Sequence, residues 1–148
     1  MNIDKVLQLL SGRDGMTDAL GIVYLSTEDE NTCKAIMEVD SRHCQPFGFL
    51  SGGASLALAE NLSGVASLAL CPGKVSLGIN VSANHIKAVR MGDTVTATAT
   101  LVHGGTTHHV WNIDITNSKG QLISTARITN CILDPAVVDK IKDGGSKE

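Results

Sequence analysis

The chain predicts an α+β fold: one antiparallel sheet of five or six strands curled around a single long helix. Three observations carry that expectation. Residues 53–70 are an apolar stretch rich in Ala, Leu, Gly and Ser, closed by Cys71-Pro72-Gly73, a helix stop. From Lys74 onward, apolar and polar residues alternate with period two, as in half-buried strands. Only short turns separate those alternating runs, which favours an antiparallel meander over a parallel βαβ arrangement.

In chain order, residues 2–10 read as a short amphipathic helix stopped by Ser11-Gly12. Strands at about 20–26 and 32–39 flank the polar turn Thr27-Glu28-Asp29-Glu30-Asn31. A loop over 41–52 then leads into the long helix. In the strand 74–85, the apolar parity is Val75, Leu77, Ile79, Val81 and Ala83. The next strand sets Val95, Ala97, Ala99 and Leu101 against Thr94, Thr96, Thr98 and Thr100. Trp111, Ile113 and Ile115 follow the same rule, and a strand at about 121–133 places Leu122, Ala126, Ile128 and Ile132 on one parity. The turn signals are Met91-Gly92-Asp93, Gly104-Gly105 and Asn117-Ser118-Lys119-Gly120. Ala54, Ala57, Ala59, Gly64 and Ala66 permit close approach of helix and sheet. This one-helix, one-sheet sandwich is the hotdog architecture, expected as a single domain over 1–142 with a flexible tail over 143–148.

Composition narrows the function. A chain of 148 residues is one domain's worth, and its 43% hydrophobic content suffices for a core, which at 3% aromatic must be aliphatic. The net charge of −3 argues against nucleic acid, which needs a basic footprint. No apolar run is expected to reach membrane-spanning length, and the N-terminus lacks a signal-peptide pattern. Cys33, Cys44, Cys71 and Cys131 form no C-x-x-C pair or metal spacing, so reduced thiols in a cytoplasmic protein and no metal are expected.

Between Arg42 and Lys74 the only formally charged side chain is Glu60, in the middle of the apolar helix. An unpaired carboxylate is costly to remove from water, so it needs a partner, solvent access or chemical work. Gly52-Gly53 at the helix start can present free N–H groups, with the positive dipole end, to an anionic oxygen. The pattern is not a phosphate-binding P-loop, because its lysine is absent. Gln45, before Pro46, carries an amide able to donate to a carbonyl. Eight residues separate Gly52 from Glu60, roughly 12 Å along a helix. Groups acting on one carbonyl must lie within about 3 Å of their target atoms. The two therefore meet only if helices run antiparallel across a two-fold axis, in a homodimer that forms the sites.

The stretch His43-x-Gln45-Pro46-Phe47-Gly48-Phe49-Leu50-Ser51-Gly52-Gly53-Ala54-Ser55-x3-Ala59-Glu60 closely resembles the hotdog acyl-CoA thioesterases. The matching subgroup has a helix glutamate, as in the hydroxybenzoyl-CoA, dihydroxynaphthoyl-CoA and enterobactin-pathway proofreading enzymes. The resemblance spans roughly 14–134, through Asn80–Lys87, Gly92–Val95, Val102–Thr106 and Gly120–Ser124. It implies hydrolysis of an acyl-CoA, with an aromatic acyl group such as 1,4-dihydroxy-2-naphthoyl, by a dimer of dimers without cofactor. Glu60 becomes the nucleophile or general base, Gln45 the carbonyl neighbour, and Gly52, with Gly53 adjoining, the polarising amide.

Two positions depart from the subgroup. Ser51 stands where many relatives have His, and Gly64 where they often have Ser or Thr to hold a water; Ser63 and Ser67 are nearby substitutes. His85 continues the inward parity of its strand. It is read either as a satisfied core histidine or, by the resemblance, as a neighbour of the acyl group. His103 and His109 share apolar parities near Gly104-Gly105. The resemblance sets Lys87 and Arg90 near the coenzyme A phosphates. A hotdog dehydratase or hydratase, and a non-catalytic acyl-CoA-binding module, are the alternatives; the first lacks a histidine beside Glu60 on its helix.

Overall fold

The computed structural model describes residues 1–13 and 15–144. Its elements run α1 (Asp4–Leu10), α2 (Met16–Leu20), β1 (Val23–Leu25), β2 (Thr32–Glu38), a 3-10 turn (Ser41–His43), α3 (Gly52–Leu70), β3 (Val75–His85), β4 (Thr94–Gly104), β5 (His108–Thr116), β6 (Leu122–Leu133) and α4 (Pro135–Gly144). The six strands form one sheet in the order β1-β2-β4-β5-β6-β3, antiparallel throughout. α3 packs against β2, β3, β4, β5 and β6, with α1 and α2 against it. One long helix held by a six-stranded sheet is the expected architecture.

The alternation on the central strands holds. Val95, Ala97, Ala99, Trp111, Ile113, Ile115, Ala126, Ile128 and Ile132 are all buried. They meet Ala54, Leu58, Ala59, Leu62, Val65 and Ala66 of α3. Leu122, assigned to the same inner parity, is instead exposed near the strand start.

On β3 the expectation needs correcting. A β-bulge between Gly78 and Asn80 shifts the register. Before it, Ser76 and Gly78 pair with the buried Ile132 and Asn130; after it, Val81 and Ala83 pair with Ile128 and Ala126. Paired residues share a face, so the inward parity switches at the bulge. Leu77 and Ile79 are consequently 42% and 57% exposed rather than in the core.

Two helices replace expected irregular segments. α2 takes the start of the first expected strand, leaving β1 only three residues. α4 runs to Gly144, so Asp143 is helical rather than part of a tail, while 145–148 lie outside the described residues. α3 also corrects the reading that no apolar run reaches membrane-spanning length: by length and composition alone, its 19 residues would suffice to cross one. Its place against the sheet accounts for that composition, since nearly half of the apolar window is buried inside the protein.

Candidate active site

The loop before α3 is fastened at several points, which fixes the helix start. Asp40 caps the 3-10 turn by accepting from the Arg42 amide, and the Arg42 guanidinium on its carboxylate lowers the Asp40 pKa to about 2. His43 is buried; its Nδ1 accepts from the Asp40 N–H at 3.0 Å, and its Nε2 meets the Leu20 carbonyl at 2.8 Å. The His43 carbonyl accepts from the Ser51 N–H at 2.8 Å. Gln45 to Gly48 form a tight turn, with the Gly48 N–H on the Gln45 carbonyl at 3.0 Å and Gly48 at φ +81°. The Gln45 N–H then reaches the Phe49 carbonyl at 2.8 Å, which holds the glutamine beside the helix start.

Ser51 is the N-cap of α3: its hydroxyl accepts from the Gly53 N–H at 3.3 Å. The Gly53 amide is therefore engaged. Among the described residues the Gly52 N–H meets no acceptor, which makes it the available donor at the positive end of α3. His85 lies directly on Gly52. A Cβ there would stand 2.6 Å from His85 Nε2 and 2.7 Å from Cδ2, so only glycine leaves room for the ring. The His85 Nδ1 is 3.0 Å from the Ser124 hydroxyl. Gln45, Gly52, Ser55, His85 and Lys87 line one cleft of about 260 Å³.

Glu60 lies elsewhere. Its carboxylate rests over Gly78, with Oε1 2.6 Å from where a Cβ would be. Of the alternatives open to a lone helix acid, Glu60 has solvent access in the single chain, on the wall of a cavity of about 880 Å³. This cavity lies between α1–α2 and α3, and Gly64, Val65, Leu68, Tyr24, Ser76 and Asn130 also line it. Ser76 Oγ is buried there with no partner among the described residues. The two cavities share no lining residue.

The remaining expected residues divide differently. Gly64 lies beside Glu60, and a Cβ at that position would meet nothing within 4 Å. Ser63 and Ser67 leave the substrate-binding set, because both are fully buried between helix and sheet. Ser63 Oγ donates to the Glu60 carbonyl at 2.8 Å. Asn130 Nδ2 donates to Ser63 Oγ at 3.1 Å and to Ser67 Oγ at 3.0 Å, and Trp111 Nε1 donates to Ser67 Oγ at 2.9 Å. Arg90 is exposed opposite Phe49 and lines neither cavity. His109 is buried, its Nδ1 has no partner among the described residues, and burial lowers its pKa. Among the described residues, no His/Cys/Asp/Glu group has the arrangement of a metal site. Gly78 and Ser124 escape the sequence reading; an isolated glycine inside a strand is a bulge signal that points to the first.

Residues 47–124, from the turn before α3 into β6, match the Thioesterase superfamily model. The chain belongs to the thioesterase superfamily. It is 39% identical to the 1,4-dihydroxy-2-naphthoyl-CoA hydrolase of Escherichia coli over 123 residues, covering 82% of this chain and 89% of that protein. It is 40% identical to the proofreading thioesterase EntH of Cronobacter sakazakii over 119 residues, covering 80% and 85%. Among solved structures, a mutant thioesterase from Pseudomonas aeruginosa superposes with a TM-score of 0.80 at 35% identity, covering 90% of this chain and 94% of that one. A thioesterase from Haemophilus influenzae gives 0.79 at 38% identity, covering 90% and 92%. Hydrolysis of a thioester is thus the activity to which this site must answer.

Proposed function

We propose that this chain hydrolyses acyl-CoA thioesters at sites built from two protomers. The observation that carries this reading is the division of the machinery. The carboxylate of Glu60 and the free amide of Gly52 belong to separate cavities of one chain, yet both are required at one carbonyl. An antiparallel pairing of two α3 helices sets Glu60 of one protomer beside Gly52 of the other. The exposed Leu77 and Ile79 on the edge strand β3 support such an interface. In the proposed assembly, two such dimers form a tetramer located in the cytoplasm.

Within the composite site the roles follow from charge. The Gly52 N–H, backed by the α3 dipole, stabilises the oxygen that becomes negative as the carbonyl turns tetrahedral. The Gln45 amide donates to the same thioester region. Glu60 attacks the carbonyl carbon to give an anhydride, or takes a proton from a water that attacks in its place. Either way the C–S bond breaks, the thiolate leaves, and a proton restores the free thiol; in the anhydride course a water then cleaves the mixed anhydride, releasing the acid and returning the Glu60 carboxylate. Lys87, exposed on the rim of the small cleft, is the cation set toward the coenzyme A phosphates in this reading, with the exposed Arg90 three residues on in the chain.

The cavity of about 880 Å³ beside Glu60 takes the acyl group. Its size is in the ordinary ligand-binding range of about 300–1,000 Å³. Leu7, Leu10 and Leu68 supply apolar surface, while the Thr17–Tyr24 hydroxyl pair at 2.8 Å supplies polar sites. A hydroxylated aromatic acyl group suits that mixture, and 1,4-dihydroxy-2-naphthoyl-CoA is the substrate proposed.

Thiol release measured across aliphatic, benzoyl and naphthoyl CoA esters tests the reading. Naphthoyl-type esters are expected to give the highest kcat/KM. Glu60→Gln removes the attacking or proton-accepting oxygen and is expected to lower kcat by about 10³ or more, with the oligomer unchanged. Retention of wild-type turnover in Glu60→Gln sinks the assignment.

A further inference from the structure

We infer that Ser124 is a positioning residue: its buried hydroxyl donates to Nδ1 of His85 and so holds the ring with an Nε2–H beside the Gly52 amide. The inference deepens the proposed thioester hydrolysis and rests on it for the reaction served.

The argument is one of hydrogen-bond accounting. Ser124 is 1% exposed and pairs across the β3–β6 ladder with His85. Its Oγ lies 3.0 Å from His85 Nδ1 and has no other partner among the described residues. Were the ring to donate through Nδ1–H, the hydroxyl proton would be left buried without an acceptor. With the hydroxyl donating, both groups are satisfied, and the ring carries its proton on Nε2. The neighbouring backbone is pinned, since the Ile123 carbonyl accepts from the Ile86 and Lys87 N–H groups at 2.8 and 3.2 Å. Ring and hydroxyl therefore sit on fixed points of two strands.

The edge of the ring that carries Nε2 faces the start of α3, as its contact with Gly52 shows. The Gly53 amide is occupied by Ser51, so the backbone alone offers one free donor there, Gly52. Oxyanions are best held by more than one preorganised donor. His85 Nε2–H supplies a further one beside the Gln45 amide, and Ser124 sets the tautomer that makes it a donor rather than an acceptor. His85 is then the group that touches substrate; Ser124 acts through it.

Nitrogen-15 NMR of the histidine rings tests this directly in the full-length oligomer. The wild type is expected to show His85 as the Nε2–H form. Ser124→Ala should move it to a mixture of tautomers, and Ser124→Thr, which keeps the hydroxyl, should restore the wild-type pattern. In thiol-release kinetics, Ser124→Ala is expected to lower kcat about tenfold with KM little changed. The same substitution should add no further loss in a His85→Ala background. An Nδ1–H form in the wild type, or a Ser124→Ala loss that persists undiminished without His85, overturns the inference. A wild type that releases no thiol from any ester overturns the hydrolytic reading instead, while the ring resonances decide the Ser124 assignment independently.

Discussion

Gly78 has no side chain at the point where the Glu60 carboxylate rests, and Gly52 has none where the His85 ring lies. The atom that a Cβ at Gly78 would strike is the far end of a flexible side chain, so the glutamate moves before the backbone does. Gly78→Ala is therefore expected to displace the carboxylate and lower kcat by about 10², with the melting temperature nearly unchanged. Kinetics and a thermal scan of the same preparation check this; unaltered kcat counts against the placement of Glu60. At this scale the sequence was informative where chemistry is isolated. Glu60 stood out as the one charge in a long apolar run, and Gly52 and His85 by position. Gly78 did not, because its neighbour is distant in the chain. Ser63 and Ser67 were misplaced because they lie on the helix face turned toward β5 and β6, where Asn130 and Trp111 hold them.

The helix and strands are joined by more than apolar contact. Asn130 on β6 donates to two serines of α3, and Trp111 on β5 donates to one of them, all within the buried layer. A buried network that is satisfied fixes the helix's rotation and height on the sheet, and so the distance between Glu60 and β3. Asn130→Ala leaves two hydroxyls short of a donor and is expected to cost about 2–3 kcal/mol, read from chemical denaturation. Ser67→Ala should cost less, since Asn130 keeps Ser63. The long helix was legible from its unbroken apolar run, and the β4–β5–β6 meander from the alternation that holds through Val95–Ala99, Trp111–Ile115 and Ala126–Ile132. The β3 parity failed at the bulge, where one extra residue exchanges the two faces of the strand. α2 was missed because five residues carry too little periodicity to separate a helical turn from a strand start.

The separation of Glu60 from Gly52 along one helix gives the whole molecule its logic. Subunits of Gln45→Ala and Glu60→Ala, each inactive alone, are expected to regain up to about a quarter of wild-type activity when mixed in equal amounts after exchange. The estimate assumes random pairing into two-site dimers, where half the dimers regain one intact site. No recovery after verified exchange would falsify the shared site. In the proposed assembly, the two cavities lie at different ends of α3, so a lone copy would hold two incomplete halves and no complete site. Turnover per chain should then fall away on dilution below the dissociation constant of the pair. Because substrate bridges both halves, saturating ester should hold the partners together and delay that fall, so the cell's supply of substrate would itself keep the catalyst assembled.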